Sequence, residues 1–126
     1  QLARGADDVV GGAQRVSRVR AGGDRHDADA VSAWMADPDA APHGGESLRD
    51  FVARIAAWLD RQASLDGSAV AVTHGGVVKA AVVHALKAPL DAFWRVDASP
   101  LGQTELHAHD GRWTVTRVNV VPEVPA

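Results

Sequence analysis

The chain has 126 residues, about one domain's length, with 46% hydrophobic and 23% charged residues. That balance argues against wholesale disorder. Thirteen Lys and Arg against 16 Asp and Glu give a net charge of −3, so no basic excess points to nucleic acid or to an anionic membrane surface. The absence of cysteine excludes disulfides, thiolate metal sites and a Cys nucleophile.

Residues 1–27 carry no clear period. Gly5, Gly11, Gly12, Gly22 and Gly23 fall there beside short Val pairs, and the segment reads as irregular, with at most one short extended piece. Arg15, Arg18, Arg20 and Arg25 could form an anion site, but five arginines against four aspartates leave only +1 over the segment. It reads as a solvated, mixed-charge stretch. A short helix is expected over about 28–37, capped by Asp27 or Asp29 and stopped by Pro38.

Residues 38–45 hold two prolines and a Gly pair and read as a loop. The next segment, 46–64, has the clearest helical period of the chain: Leu48, Phe51, Val52, Ile55 and Leu59 share one face. Asp66-Gly67 marks a turn. The uninterrupted run 68–73 then predicts a short strand, central and buried. Residues 77–87 are rich in Val, but their length and alanines favour a buried helix, ended by Pro89. Leu90 to Val96 predicts another short helix. Gln103 to His109 and Arg112 to Val120 alternate, and Asp110-Gly111 between them predicts a type I′ hairpin. This order suits an α/β sandwich with the 68–73 strand flanked by helices.

Thr73-His74-Gly75-Gly76 stands where an apolar strand gives way to a helix. Ligands bind beyond the carboxyl ends of strands in open α/β sheets, and helix N-terminal amides attract anions into the same space. Glycine lets a phosphate approach the backbone, and a His can donate to it or hold a proton. The alternative is a capping His in an ordinary turn. Glu46 or Ser47 could cap the long helix, or Glu46 could serve as an acid/base residue in a shared pocket. His107 and His109 lie two apart beside Glu105, a spacing that can chelate metal. No third ligand is evident, so a solvated hairpin face is the expected reading, with no metal. His84 reads as a satisfied core or edge histidine, and Trp34, Trp58, Trp94 and Trp113 as core or rim packing.

Gly44-Gly45-Glu46-Ser47-Leu48 opening a helix, the stretch from Val70 through His74-Gly75-Gly76 to Ala81, and a closing hairpin with Arg112-Trp113-Thr114 and Val118-Asn119 come in one order and spacing. Together they resemble the histidine phosphatase superfamily, also called phosphoglycerate-mutase-like, over about residues 28–120. The resemblance implies a three-layer α/β/α fold, incomplete here at the N-terminus, with residues 1–27 as an atypical segment ahead of a 28–126 domain. It implies phosphoryl transfer through a phosphohistidine, without a cofactor. His74 matches the second active-site histidine, Gly75 would offer its amide to the phosphoryl group, and Glu46 matches the acidic residue that often donates a proton. A phosphorylated small molecule or phosphate is the implied partner.

The family's nucleophile belongs to an Arg-His-Gly motif, and that string occurs nowhere in the 126 residues. Val19-Arg20-Ala21-Gly22 is nearest, with Ala in the nucleophile's place, and Ala cannot carry covalent catalysis. A phosphate site with impaired or absent phosphoryl transfer is therefore expected. One alternative is an active phosphatase whose nucleophile is His43, His26 or a residue of a partner chain. Another is a non-catalytic binding module: without the family's first strand, the 68–73 strand would expose an edge and favour a homodimer or a domain swap. A shifted reading frame in GC-rich DNA would also produce such an opening segment. No apolar run reaches the roughly 18 residues of a membrane span, and nothing at the start reads as a signal peptide. The cytoplasm is the expected compartment, with neither nucleic acid nor membrane as partner.

Overall fold

The structure, a computed structural model, describes residues 6–11, 14–19, 28–65 and 67–122. Two strands, β1 (Ala6–Gly11) and β2 (Gln14–Val19), pair antiparallel. The opening segment thus contains two strands where its composition suggested irregular chain. Backbone pairing accounts for the difference. β2 runs parallel to β3 (Ser68–Thr73), from Gln14 opposite Ser68 to Val19 opposite Thr73, and a ladder of this kind needs no apolar alternation to form.

Helix α1 spans Ala28–Ala36. Asp29 lies inside its first turn rather than ahead of it, and Asp27 lies outside the described residues. The Pro-rich loop holds one 3-10 turn, Pro42–Gly44. Helix α2 spans Leu48–Ala63, and the Ser47 hydroxyl accepts the Asp50 amide at 3.0 Å. That bond satisfies one of the donors orphaned at a helix start, so Ser47, not Glu46, is the cap. Helix α3 (Gly75–Ala85) buries Val77, Ala80, Ala81, Val82 and Val83, which confirms the buried-helix reading of a Val-rich run. A 3-10 turn, Leu90–Arg95, follows and buries Phe93. Strands β4 (Gln103–His109) and β5 (Arg112–Val120) form the closing hairpin. Asp110 and Gly111 at its tip both have positive φ, 51° and 75°, as a type I′ turn requires.

The strands make two sheets, one ordered β1-β2-β3 and the other β4-β5. Strand β3 stands at the end of its sheet and is not buried: Val70 is 43% and Val72 52% exposed. The expectation of a central, buried strand is corrected here. An apolar run records which faces can be covered, but the covering needs neighbours. Among the described residues β3 has a strand partner on one side only.

The core lies between α2, α3 and the Leu90–Arg95 turn. Phe51 is its hub. It stacks on Trp34 (ring centroids 5.8 Å apart) and meets Phe93 edge-on (6.4 Å), and Phe93 meets Trp94 edge-on at 4.9 Å. Trp58 is buried in the same cluster and Trp113 packs against it, so all four tryptophans serve packing.

A polar bond ties three elements outside this core. The Asp60 carboxylate on α2 lies 2.8 Å from His84 Nε2 on α3 and accepts the Trp113 indole N–H from β5 at 3.1 Å. The hydrogen bond to His84 is the largest cause that holds the Asp60 carboxyl below its ordinary value of 3.8; burial opposes it, and the Trp113 hydrogen bond lowers the value further. A carboxyl depressed on folding stabilises the fold fully above its unfolded value and loses that stabilisation as pH falls through its lower folded value. The side chain is 58% exposed, so solvent screening holds the effect under about 1 kcal/mol. Asp60→Asn is therefore expected to lower the urea midpoint slightly at pH 6, and the gap to the wild type should close below pH 4. A gap that does not narrow as the pH is lowered below 4 would exclude the carboxylate as its cause.

Candidate functional site

The site begins at the junction of β3 and α3. His74 is extended (φ −105°, ψ 160°) and occupies the cap position of α3, yet its side chain makes no capping bond. The capping itself falls to its carbonyl, which accepts the amides of Val77 at 3.0 Å and Val78 at 3.3 Å. The imidazole is exposed, so it remains available to a ligand. Behind it the Gly75 and Gly76 amides stand too early in α3 to have an acceptor within the helix and carry the positive end of its dipole.

The two glycines have different reasons to be glycine. A Cβ on Gly75 would stand 3.3 Å from the Ala98 carbonyl oxygen, tighter than ordinary contact. Glycine there lets the 98–102 turn close against the start of α3. A Cβ on Gly76 would meet the Phe51 ring at 3.7 Å, an ordinary contact.

Between that turn and α3 lies a cleft of about 300 Å³, at the small end of ligand pockets. Thr73, His74 and Gly75 line it together with Ser99, Thr104 and Asn119. His74 and Gly75, the two residues singled out at this junction, both line the cleft. Glu46 is not among the lining residues. Its carboxylate takes two hydrogen bonds from Arg54, Nε to Oε2 at 3.0 Å and Nη2 to Oε1 at 3.1 Å. Its carbonyl accepts the Trp34 indole N–H at 3.1 Å. This two-point pairing fixes the carboxylate at the start of α2.

The other candidate histidines lie elsewhere. His107 meets Glu105 at 3.2 Å and His109 meets Asp110 at 3.3 Å, all on the exposed hairpin. Among the described residues no cluster of three metal-ligating side chains occurs. His26 and the His43 side chain lie outside what the structure describes. Ser99 and Asn119, which also line the cleft, were not singled out by the sequence as site residues. Two signals pointed toward them: the Pro100-Leu101-Gly102 turn signal, and an Asn inside an alternating strand, where Asn is disfavoured.

The sequence model of the histidine phosphatase superfamily (branch 1) matches residues 19–121. The chain belongs to this superfamily. Its α/β fold matches solved histidine phosphatases. The native mycobacterial glucosyl-3-phosphoglycerate phosphatase is 30% identical, with a TM-score of 0.58 over 73% of this chain and 52% of that one. The same mycobacterial enzyme in complex with inorganic phosphate gives 30% identity and a TM-score of 0.59, over 73% and 51%. A putative alpha-ribazole-5'-P phosphatase of Escherichia coli, at 22% identity, shares the fold with a TM-score of 0.59 over 75% of this chain and 48% of that one. The chain therefore spans about half the length of the solved structures it matches. No curated protein matches it. Among the described residues no helix is long and apolar enough to cross a membrane.

Proposed function

We propose that this chain is a phosphatase-like protein that binds phosphate or a phosphate monoester at the N-terminus of α3, and that phosphoryl transfer by the chain itself is impaired or absent. The observation that carries the reading is His74, exposed and free of any capping bond, beside Gly75 in a cleft at the carboxyl end of β3. The imidazole donates to a phosphate oxygen, and the Gly75 amide and the helix dipole stabilise its charge. The mycobacterial relative has been solved with inorganic phosphate and with VO3, which supports an oxyanion as the ligand. Glu46 is the proton-handling carboxylate by family resemblance. Here it is held by Arg54 outside the cleft, so binding rests on His74 and Gly75. A phosphorylated small molecule in the cytoplasm, with neither nucleic acid nor membrane as partner, fits the net charge of −3.

Titration of the labelled chain with inorganic phosphate, followed by NMR, tests this reading. The Gly75 amide and the His74 ring signals are expected to move together, and His74→Ala should abolish the shift at Gly75. Signals that stay still in the wild type, or a Gly75 shift that survives His74→Ala, would contradict the reading.

A second reading concerns assembly. The outer edge of β3 has no strand partner among the described residues, and Val70 and Val72 beside it are exposed. Such an edge is a template for pairing with another chain, which favours a homodimer or a domain swap. Sedimentation at micromolar concentration should show a dimer, and Val72→Lys, which places a charge on that strand, should shift it toward monomer. A wild-type monomer would refute the edge-pairing reading.

A further inference from the structure

The cleft that His74 lines has a wall built with unusual backbone. Leu101 and Asn119 both have positive φ, 67° and 53°, a region that Leu in particular avoids. The Gly102 amide donates to the Ser99 carbonyl at 2.9 Å and closes a turn with Pro100 second and Leu101 third. Gly102 has no room for a side chain: a Cβ there would lie 2.3 Å from Asn119 Oδ1 and 2.9 Å from the Ser99 oxygen.

The bonds of Asn119 explain what this backbone serves. Its Oδ1 accepts the Ser99 amide at 2.7 Å, its Nδ2 donates to Ser99 Oγ at 3.3 Å, and its own amide donates to Thr104 Oγ1 at 3.1 Å. A serine hydroxyl has one hydrogen to give and two lone pairs. With a lone pair engaged by Asn119, Ser99 keeps its O–H, and among the described residues that hydrogen has no acceptor. Ser99 and Asn119 both line the cleft that holds His74.

We propose that Ser99 is a further ligand-binding residue, its hydroxyl presented by Asn119 to an oxygen of the anion that His74 binds. This rests on the phosphate reading above. Asn119 acts as a positioning residue: it fixes the main chain of Ser99 through one amide atom and the hydroxyl through the other. Gly102 keeps the space that this bracket occupies.

The experiment is a titration of the whole chain with inorganic phosphate in five forms: wild type, Ser99→Ala, Ser99→Thr, Asn119→Gly and His74→Ala. Urea midpoints and the exchange rate of the Ser99 amide are measured beside it. Ser99→Ala is expected to weaken binding about tenfold, the worth of one hydrogen bond to a charged group. Ser99→Thr keeps the hydroxyl and should restore most of the affinity, which a purely structural role would not predict. Asn119→Gly tolerates the left-handed backbone. It should weaken binding to a similar degree and speed Ser99 amide exchange about tenfold with the loss of its acceptor. His74→Ala should lose binding with Ser99 exchange unchanged. Wild-type affinity in Ser99→Ala overturns the inference while His74-dependent binding leaves the site reading standing. A wild type that takes up no phosphate overturns the site reading, and with it the ligand role of Ser99. Unchanged Ser99 exchange in Asn119→Gly overturns the bracket by itself.

Discussion

Replacing Phe51 by alanine is expected to remove about 3–5 kcal/mol of unfolding free energy, the usual cost of deleting a buried Phe. Phe51 is 2% exposed and joins Trp34 from one side and Phe93 from the other. The Arg54 guanidinium lies over its ring at 5.3 Å. Domains hold only about 5–15 kcal/mol in total, so this one change should leave the chain marginal or unfolded at room temperature. The consequence reaches the site. The Phe51 ring lies directly behind Gly76, within 3.7 Å of where a Cβ would stand, and so supports the first turn of α3. Urea unfolding followed by Trp fluorescence measures the loss, with Phe51→Leu expected to cost clearly less because it refills most of the volume. A cost under about 1 kcal/mol for Phe51→Ala would mean that the site collapses around the gap and that Phe51 is not the hub.

What could be read from the residues, and what could not, divides by how local the cause is. Helix α2 was legible because Leu48, Phe51, Val52, Ile55 and Leu59 repeat with the helix period, and all five are buried. The hairpin was legible because Asp110-Gly111 determines its own backbone. The bounds of β3 were legible from its apolar run and the turn before it, but its burial was not. Burial depends on which elements lie alongside, and the β1-β2-β3 order puts β3 at the end of its sheet. The strands β1 and β2 stayed hidden because pairing to a distant segment, not their own pattern, makes them strands. The site divides in the same way. His74 and Gly75 were visible because a strand-to-helix junction is a local object. Ser99 and Asn119 are 20 residues apart and meet only because the β4-β5 hairpin returns the chain to the turn that precedes it. The Glu46 and Arg54 pairing has a local cause, since both stand near the start of α2, but only the structure shows it and its separation from the cleft.

The largest functional effect expected is an absence of turnover that no change at His74 can deepen. A phosphohistidine route needs one imidazole to attack phosphorus and other groups to stabilise the charge that develops on the transferring oxygens. His74, at the helix N-terminus beside Gly75, is the residue proposed for the second task. The first belongs, in this superfamily, to an Arg-His-Gly motif that these 126 residues do not contain. Losing a covalent nucleophile costs on the order of 10⁶ in kcat in a serine hydrolase, and what survives comes from binding and electrostatics alone. The purified chain is therefore expected to hydrolyse an aryl phosphate at a rate close to the uncatalysed one. His74→Ala should be indistinguishable from it, even though the same substitution is expected to abolish phosphate binding. Quenching in base after incubation with the substrate should reveal no acid-labile phosphate on any histidine. Turnover that depends on His74, or phosphate trapped on His43 or His26, would show instead that the chain draws its nucleophile from outside the family motif. Mixing His74→Ala with a variant that lacks the trapped histidine, each inactive alone, then separates the two sources: a nucleophile donated by a partner chain restores activity in the mixture, whereas one within the chain leaves it inactive.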